Sequence, residues 1–140
     1  GSATDRAVSD AFLSALPSDT PCIDLTGTLD LVQLAAVLQR VDLFLGCDSG
    51  PMHLAAAVGT PVVAVFGPSD PHRWGPLGAH VEVVRAGLPC SPCNRIRKPP
   101  ERCVGRIPEC LEAVGPELVV SAAERLLAAA STEGARAAVR

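Results

Sequence analysis

The chain has 140 residues, a formal net charge of −3 and 48% apolar residues, which is enough apolar content for one packed core. Only 19% of its residues are charged, so the composition excludes a disordered polymer, and the chain contains no apolar run of the roughly 18–20 residues needed to span a bilayer. No dominant basic stripe indicates a nucleic-acid partner, so we predict none and interpret the short basic stretch as a solvated loop, formed by Arg95, Arg97, Lys98, Arg102 and Arg106.

Helical and strand patterns alternate along the chain. Apolar spacing predicts helices over residues 4–16, 31–40 and 51–58 and a last helix that begins at Pro116, with Asp30 as the N-cap of the second. Short apolar runs predict strands at 22–25, 42–46, 61–66 and 81–84, and the segment 67–80 is expected to be a loop. This alternation is typical of a doubly wound, Rossmann-like α/β fold with a parallel sheet.

The same pattern defines the domain boundaries. We predict one domain over residues 1–130, incomplete at its N-terminus, with a cysteine-rich loop at 88–110. The polar, alanine-rich residues 131–140 are expected to form a flexible tail.

The most informative segment lies where the second predicted strand gives way to a helix. The strand ends at Gly46 and the helix begins near Pro51, with Ser49 and Gly50 at its mouth. The first helical turn presents unpaired N–H groups and the positive end of the helix dipole, and glycine allows a ligand to approach the backbone. This geometry favours a diphosphate site. The alternative is that Asp48 or Ser49 merely caps the helix.

Around this segment the sequence resembles a known family. The stretch DSGPMHLAAA at 48–57, followed by GTP at 59–61 and FGPSDP at 66–71, is similar to the motifs D-[ST]-G-x-x-H-L-A-A-A and [FY]-G-P-T-D-P of glycosyltransferase family 9, the heptosyltransferases. The resemblance extends from about residue 5 to about residue 127. It implies a two-domain GT-B fold, of which this chain covers most of the C-terminal, nucleotide-sugar-binding half.

The resemblance also implies roles for individual residues. The N–H groups of Ser49 and Gly50, with Pro51 behind them, hold the donor diphosphate together with the Ser49 hydroxyl. His53, one helical turn further on, reaches the same phosphates, and Asp48 accepts hydrogen bonds from sugar hydroxyls. A packing role for His53 is the alternative.

A second stretch is implied to contact the adenine. It includes Thr26, Thr28 and Leu29, and Asp5 lies near the position of an acidic ribose ligand in the family. Asp70 either contacts the ligand or orders its own turn, since aspartate before proline forms turns. Arg73 and Trp74 either border the sugar site or anchor their loop.

The expected reaction is an inverting transfer of heptose from ADP-heptose to a lipopolysaccharide-core or related acceptor, without a catalytic metal. The resemblance places the catalytic base and the acceptor site in the N-terminal domain, so we assign no catalytic residue to this chain and expect the chain alone to be inactive.

We expect a cytoplasmic location, at the inner face of the bacterial inner membrane, with peripheral membrane contact in the full protein. Two alternatives are a GT-B enzyme for another nucleotide-sugar and a non-catalytic nucleotide- or metal-binding module.

Four cysteines cluster in the loop at 88–110, with the spacing C-x2-C-x9-C-x6-C: Cys90, Cys93, Cys103 and Cys110. The first pair has the spacing found in tetrahedral thiolate sites. The only large aliphatic residues between the first and last of these cysteines are Ile96, Val104 and Ile107, so the loop needs another source of order. We predict a structural zinc or iron site, with two disulfides or four free thiols as alternatives. The remaining cysteines, Cys22 and Cys47, are predicted to be buried apolar side chains.

Overall fold

The computed structural model describes residues 1–95 and 97–137, which leaves Ile96 of the predicted cysteine loop and residues 138–140 outside the described part. The chain divides into two compact units, Gly1–Val37 and Leu38–Arg140. Among the described residues, no helix is both long and apolar enough to span a membrane.

The first unit consists of a 3-10 turn at Ala3–Asp5, helix α1 at Arg6–Ala15, and the start of helix α2, which covers Leu31–Leu38. The cap predicted for α2 is confirmed. The carboxylate of Asp30 accepts the Gln33 N–H at 2.8 Å, while the Gln33 side-chain oxygen accepts the Asp30 N–H at 2.9 Å. This reciprocal pair satisfies two N–H groups at the start of the helix.

The strand predicted at 22–25 is wrong. The segment forms no strand, and Ile23 is 83% exposed. Its position is fixed by side chains rather than by a sheet ladder: the Asp24 carboxylate accepts hydrogen bonds from the Arg6 guanidinium and, at 2.8 Å, from the Thr26 N–H. A four-residue apolar run does not by itself provide a partner strand.

The second unit contains a three-stranded parallel sheet in the order β1-β2-β3. Strand β1 covers Phe44–Cys47, β2 covers Val62–Val65 and β3 covers Val81–Val84, and helix α3 at Gly50–Ala57 connects the first two. In the register, Phe44 pairs with Val62, and Val62 pairs with Val81. The central strand is continuously apolar because both of its faces are covered.

Helices cover both faces of this sheet. On one face, Val63 and Val84 form a buried cluster with Ala122 and Leu126 of helix α6, which covers Pro116–Ala137. Val62 points to the opposite face, because side chains alternate along a strand, and it is also fully buried where α3 packs on β1 and β2. The predicted doubly wound α/β fold is confirmed.

Three short elements interrupt segments that the sequence predicted to be loops. Helix α4, Pro71–Trp74, lies within the loop predicted at 67–80, with the Asp70 carboxylate accepting the His72 N–H at 3.0 Å. Asp70 therefore orders its own turn. A 3-10 turn at Glu101–Cys103 and helix α5 at Glu109–Glu112 lie within the cysteine-rich loop.

The last helix is longer than predicted. Its backbone continues to Ala137, so residues 131–137 are helical where the sequence predicted a tail. Extending an existing helix avoids the cost of nucleating a new one, which favours its continuation into this polar segment. The flexibility of residues 131–140 stays a prediction.

Candidate functional site

The turn between β1 and α3 carries most of the predicted site residues. Ser49 is the N-cap of α3, with an extended backbone at φ −159° and ψ 163°, and its side chain makes no cap hydrogen bond. Instead its carbonyl oxygen accepts the N–H groups of Met52 at 3.2 Å and His53 at 3.4 Å. The alternative that the Ser49 side chain serves as the helix cap is therefore wrong, and its hydroxyl is left for another partner.

The mouth of α3, residues 48–53, is open to a ligand. Gly50 is exposed, and a Cβ atom built on it would meet no other atom within 4 Å. In the part of the chain that the structure describes, no hydrogen bond uses the N–H of Ser49 or of Gly50. Two unpartnered donors and the positive end of the helix dipole therefore meet at the carboxyl edge of a parallel sheet, which is where such folds bind ligands.

The opposite side of α3 holds this mouth rigidly in place. Met52 and Ala55 are fully buried, and Ala56 is nearly so. Just beyond the helix, the buried Thr60 hydroxyl donates a hydrogen bond of 2.6 Å to the carbonyl oxygen of Leu38. The backbone N–H groups at the mouth are thus preorganised by packing that a ligand does not have to create.

His53 and Asp48 flank the two donors. His53 is exposed, so the alternative that it packs in the core is wrong. Side chains on a helix lean toward its N-terminus, which directs the His53 imidazole over the turn that contains Ser49. Asp48 is half-buried directly before the N-cap, and Pro51 occupies the first turn, where its missing N–H is no loss. The structure therefore brings Asp48, Ser49, Gly50, Pro51 and His53 together.

The second predicted stretch lies in the first unit, beside a cavity of about 320 Å³. Thr26 and Leu29 line this cavity together with apolar side chains such as Phe12 and Leu34. The Thr28 hydroxyl instead donates to the carbonyl oxygen of Leu25 at 2.9 Å, so Thr28 orders the turn.

A polar network that the sequence analysis missed shapes this cavity. The Ser9 hydroxyl lies 3.1 Å from the Asp24 carboxylate and 2.9 Å from the Thr26 hydroxyl. Hydrogen bonds from the Thr26 N–H and hydroxyl hold the pKa of Asp24 below its usual value, with smaller contributions from Ser9 and Arg6. An aspartate two residues before a threonine is an Asx-turn signal that could have indicated the local part of this network.

Asp5 is occupied within its own turn. Its carboxylate accepts the Ser2 N–H at 2.7 Å and the Ser2 hydroxyl at 3.0 Å, and these bonds lower its pKa. Its proposed contact with ribose stays a prediction.

Arg73 and Trp74 also pair with each other. The Arg73 guanidinium lies 5.3 Å from the centre of the Trp74 ring, a cation–π distance. Both side chains line a broad groove with Asn94 and three cationic residues, Arg95, Arg97 and Lys98.

The four cysteines of the loop surround a single cavity of about 350 Å³, although they lie up to 20 residues apart in the chain. All six cysteines are free thiols. As they stand, no three His, Cys, Asp or Glu side chains among the described residues are placed to hold a metal ion. The four cysteines therefore share a cavity without coordination geometry, and the metal site stays a prediction.

The other two cysteines correct a prediction. Cys22 and Cys47 are exposed rather than buried. Cys47 ends β1, which is the edge strand of the described sheet, and its neighbour Leu45 on the same face is 53% exposed. Apolar character at a strand end therefore did not predict burial here.

Comparison with known proteins identifies the family. The sequence profile of glycosyltransferase family 9 (heptosyltransferase) matches residues 1–103 of the chain. The chain belongs to glycosyltransferase family 9. The match includes the helix mouth and the cavity of the first unit.

Family 9 relatives share both sequence and structure with this chain. Lipopolysaccharide heptosyltransferase 3 of Escherichia coli K12 is 34% identical over 107 residues, which is 76% of this chain and 29% of the relative. The structure of E. coli ADP-heptose LPS heptosyltransferase II superposes with a TM-score of 0.77 at 28% identity, over 94% of this chain and 36% of that one. A family 9 glycosyltransferase from Veillonella parvula gives a TM-score of 0.74 at 31% identity, over 91% and 35%. The chain thus spans about a third of the length of these relatives.

Proposed function

We propose that this chain is the donor-binding part of an inverting glycosyltransferase that transfers heptose from ADP-heptose to a lipopolysaccharide-core or related acceptor. The observation that carries the proposal is the open mouth of α3, where the N–H groups of Ser49 and Gly50 have no described partner and no side chain fills the space above Gly50. Family membership supports the reaction class, because the two Escherichia coli proteins named above are heptosyltransferases.

The chemistry needs what this mouth offers. When the acceptor hydroxyl attacks the anomeric carbon, the bond from that carbon to the diphosphate oxygen breaks, and negative charge grows on the departing ADP. Preorganised N–H donors at Ser49 and Gly50 stabilise that charge, and the His53 imidazole adds a charge-assisted hydrogen bond to the phosphate. The acceptor proton passes to a carboxylate that the proposal places in the N-terminal domain, together with the acceptor site. No metal takes part in this step.

The cavity of the first unit is assigned to the adenine ring. Its apolar lining, including Leu29 and Phe12, suits a flat heteroaromatic base, and Thr26 offers a hydroxyl at its edge. A lipid-linked acceptor would place the full protein at the cytoplasmic face of the inner membrane.

A panel of nucleotide-sugars tests the proposal on the full-length protein that carries this chain. We expect transfer from ADP-heptose, and we expect Gly50→Ala to lower kcat/KM by roughly 10²–10³, because its methyl group occupies the space of the diphosphate. Gly50 has an ordinary backbone and free space around its Cβ position, so the variant should fold normally.

Ala57→Ser is the matched control, because it also adds one heavy atom to an exposed residue of α3, at the far end from the mouth. It should retain wild-type activity. If the protein transferred sugar only from another nucleotide-sugar, that compound would replace ADP-heptose as the donor in this proposal. Full activity of Gly50→Ala would remove the helix mouth from the site.

A further inference from the structure

The cavity among the four loop cysteines is lined by none of the proposed donor-binding residues and has no role in the transfer described above. Besides Cys90, Cys93, Cys103 and Cys110, its lining includes prolines and three arginines. Free thiols attract one another only weakly, so contacts among the thiols themselves do not explain why four cysteines line one cavity. A shared ligand would explain this arrangement.

One side of this cavity is firmly attached to the sheet. The Ser91 hydroxyl donates to the Gly67 carbonyl oxygen at 2.6 Å, and the Arg85 guanidinium donates to the Ser91 carbonyl oxygen at 2.7 Å. On the other side of the turn, the Asn94 N–H donates to the Pro68 carbonyl oxygen at 2.8 Å. The turn that carries Cys90 and Cys93 is therefore held against the loop that follows β2.

Cys110 is fixed against the same loop. It lies in α5 with 8% of its surface exposed, and its sulfur stands 3.3 Å from the position of a Cβ atom built on Gly67. A larger residue than glycine at position 67 would also collide with Leu111, at 2.5 Å. Gly67 thus permits the close approach of Cys110 to this loop, and the Cys110 thiol lines the same cavity as the first two cysteines.

Cys103 comes from the least supported part of the loop. It ends the 3-10 turn at Glu101–Cys103, and its apolar neighbours Val104 and Ile107 are 63% and 64% exposed. Since no three described thiols, imidazoles or carboxylates are placed for a metal, more than one of the four thiols would have to move on binding, and the segment with Cys103 is the least constrained of them. A loop with so little buried surface gains its order from a ligand rather than from a core.

The charges around the cavity suit an assembly of thiolates. Arg95, Arg102 and Arg106 line it together with one carboxylate, Glu109, and Arg106 also pairs with Glu112 at 3.4 Å, so the cationic residues offset part of the negative charge of four thiolates around a divalent metal.

We propose that Cys90, Cys93, Cys103 and Cys110 form a structural site for a thiolate-binding metal, either a zinc ion or an iron centre. Four thiolates complete the coordination of such a metal and leave no open position, so the site orders the loop and takes no part in the reaction. A single zinc ion needs zinc–sulfur distances of about 2.3 Å, which requires the four sulfurs to draw closer together, whereas an iron–sulfur cluster spans a wider set of sulfurs.

The test is metal analysis of the full-length protein, purified anaerobically without a chelating tag from cells supplied with zinc and iron. We expect about one zinc ion per chain, or iron with acid-labile sulfide and visible sulfur-to-iron absorption. Cys93→Ser should lose the metal, and residues 88–110 should then become sensitive to protease while the sheet stays folded. Cys47→Ser, which removes a thiol of the same unit outside the cluster, should keep the full metal content.

A second measurement covers the case in which Cys93→Ser does not fold. Titration of the wild-type protein with a mercurial reagent should release the metal as the four thiols react. Metal-free protein with a loop already resistant to protease would overturn the proposal, as would disulfides among these cysteines or a metal content unchanged in Cys93→Ser.

Discussion

The two loops at the carboxyl edge of the sheet are ordered in different ways. The helix mouth follows β1 and rests on α3, whose inner side is fully buried at Met52 and Ala55. The cysteine loop at 88–110 follows β3, and of its four clustered cysteines only Cys110 is buried. The first loop is therefore preorganised by the apolar core, whereas the second has its cysteines assembled around a cavity that a ligand would complete. The proposed donor site and the proposed metal site thus differ in the source of their order, although both follow strands of one sheet.

The largest expected effect is a difference in stability between two side-chain truncations, one in each region. Met52→Ala empties a fully buried position beneath the helix mouth and should cost about 2–5 kcal/mol of stability. Ile107→Ala, at a residue 64% exposed in the cysteine loop, should change stability by no more than about 0.5 kcal/mol. Thermal unfolding of the full-length variants measures both. Similar losses in the two variants would contradict the contrast between the regions.

A change at the helix mouth should affect activity without affecting stability. His53→Ala removes a charge-assisted hydrogen bond to the diphosphate, which is worth about 1.5–3 kcal/mol, so kcat/KM should fall roughly tenfold or more. The exposed His72 in α4 provides the control, and His72→Ala should behave as wild type. If His53→Ala kept full activity with an unchanged melting temperature, His53 would have no part in donor binding.

The smallest expected effect concerns an ion pair between α6 and β3, outside both loops. Arg125 of α6 donates to the Glu82 carboxylate of β3 at 2.9 and 2.7 Å and lowers the pKa of Glu82 from its ordinary value of 4.5. Because the folded-state pKa is the lower one, the stabilisation is present above the unfolded value and is lost as the pH falls through the folded value. Glu82→Gln should cost about 0.2–1 kcal/mol at neutral pH, since the Arg125 side chain is largely exposed. Melting curves over a pH series should show that the difference in melting temperature between variant and wild type disappears in acid. A difference that stays constant with pH would contradict a stabilising ion pair between Arg125 and Glu82.

Local sequence signals predicted the parts of the fold that local physics determines. Asp30 marked the start of α2, and the run VEVV matched β3 at Val81–Val84. The run at 22–25 failed because its conformation depends on Arg6, which is distant in sequence and gives no periodic signal. The geometry of the α3 cap could not be predicted from the sequence either, because only the structure shows that the Ser49 hydroxyl makes no cap hydrogen bond.

For the candidate site, too, the sequence predicted local features better than features that depend on distant contacts. A motif in one continuous segment predicted the helix mouth residue by residue. Thr28 and Asp5 were placed by position along the chain, and the structure shows each bonding within its own turn. Spacing predicted the cysteine cluster but not how far apart its sulfurs stand, which depends on how the whole loop packs.

The most direct test of the central claim is the affinity of the full-length protein for ADP, measured by calorimetry on wild type, Gly50→Ala and Ala57→Ser. If the mouth of α3 holds the diphosphate, Gly50→Ala should weaken ADP binding by roughly 100-fold, about 2.7 kcal/mol, while Ala57→Ser binds as wild type. Equal affinity in all three proteins would show that the diphosphate binds elsewhere and would contradict the account.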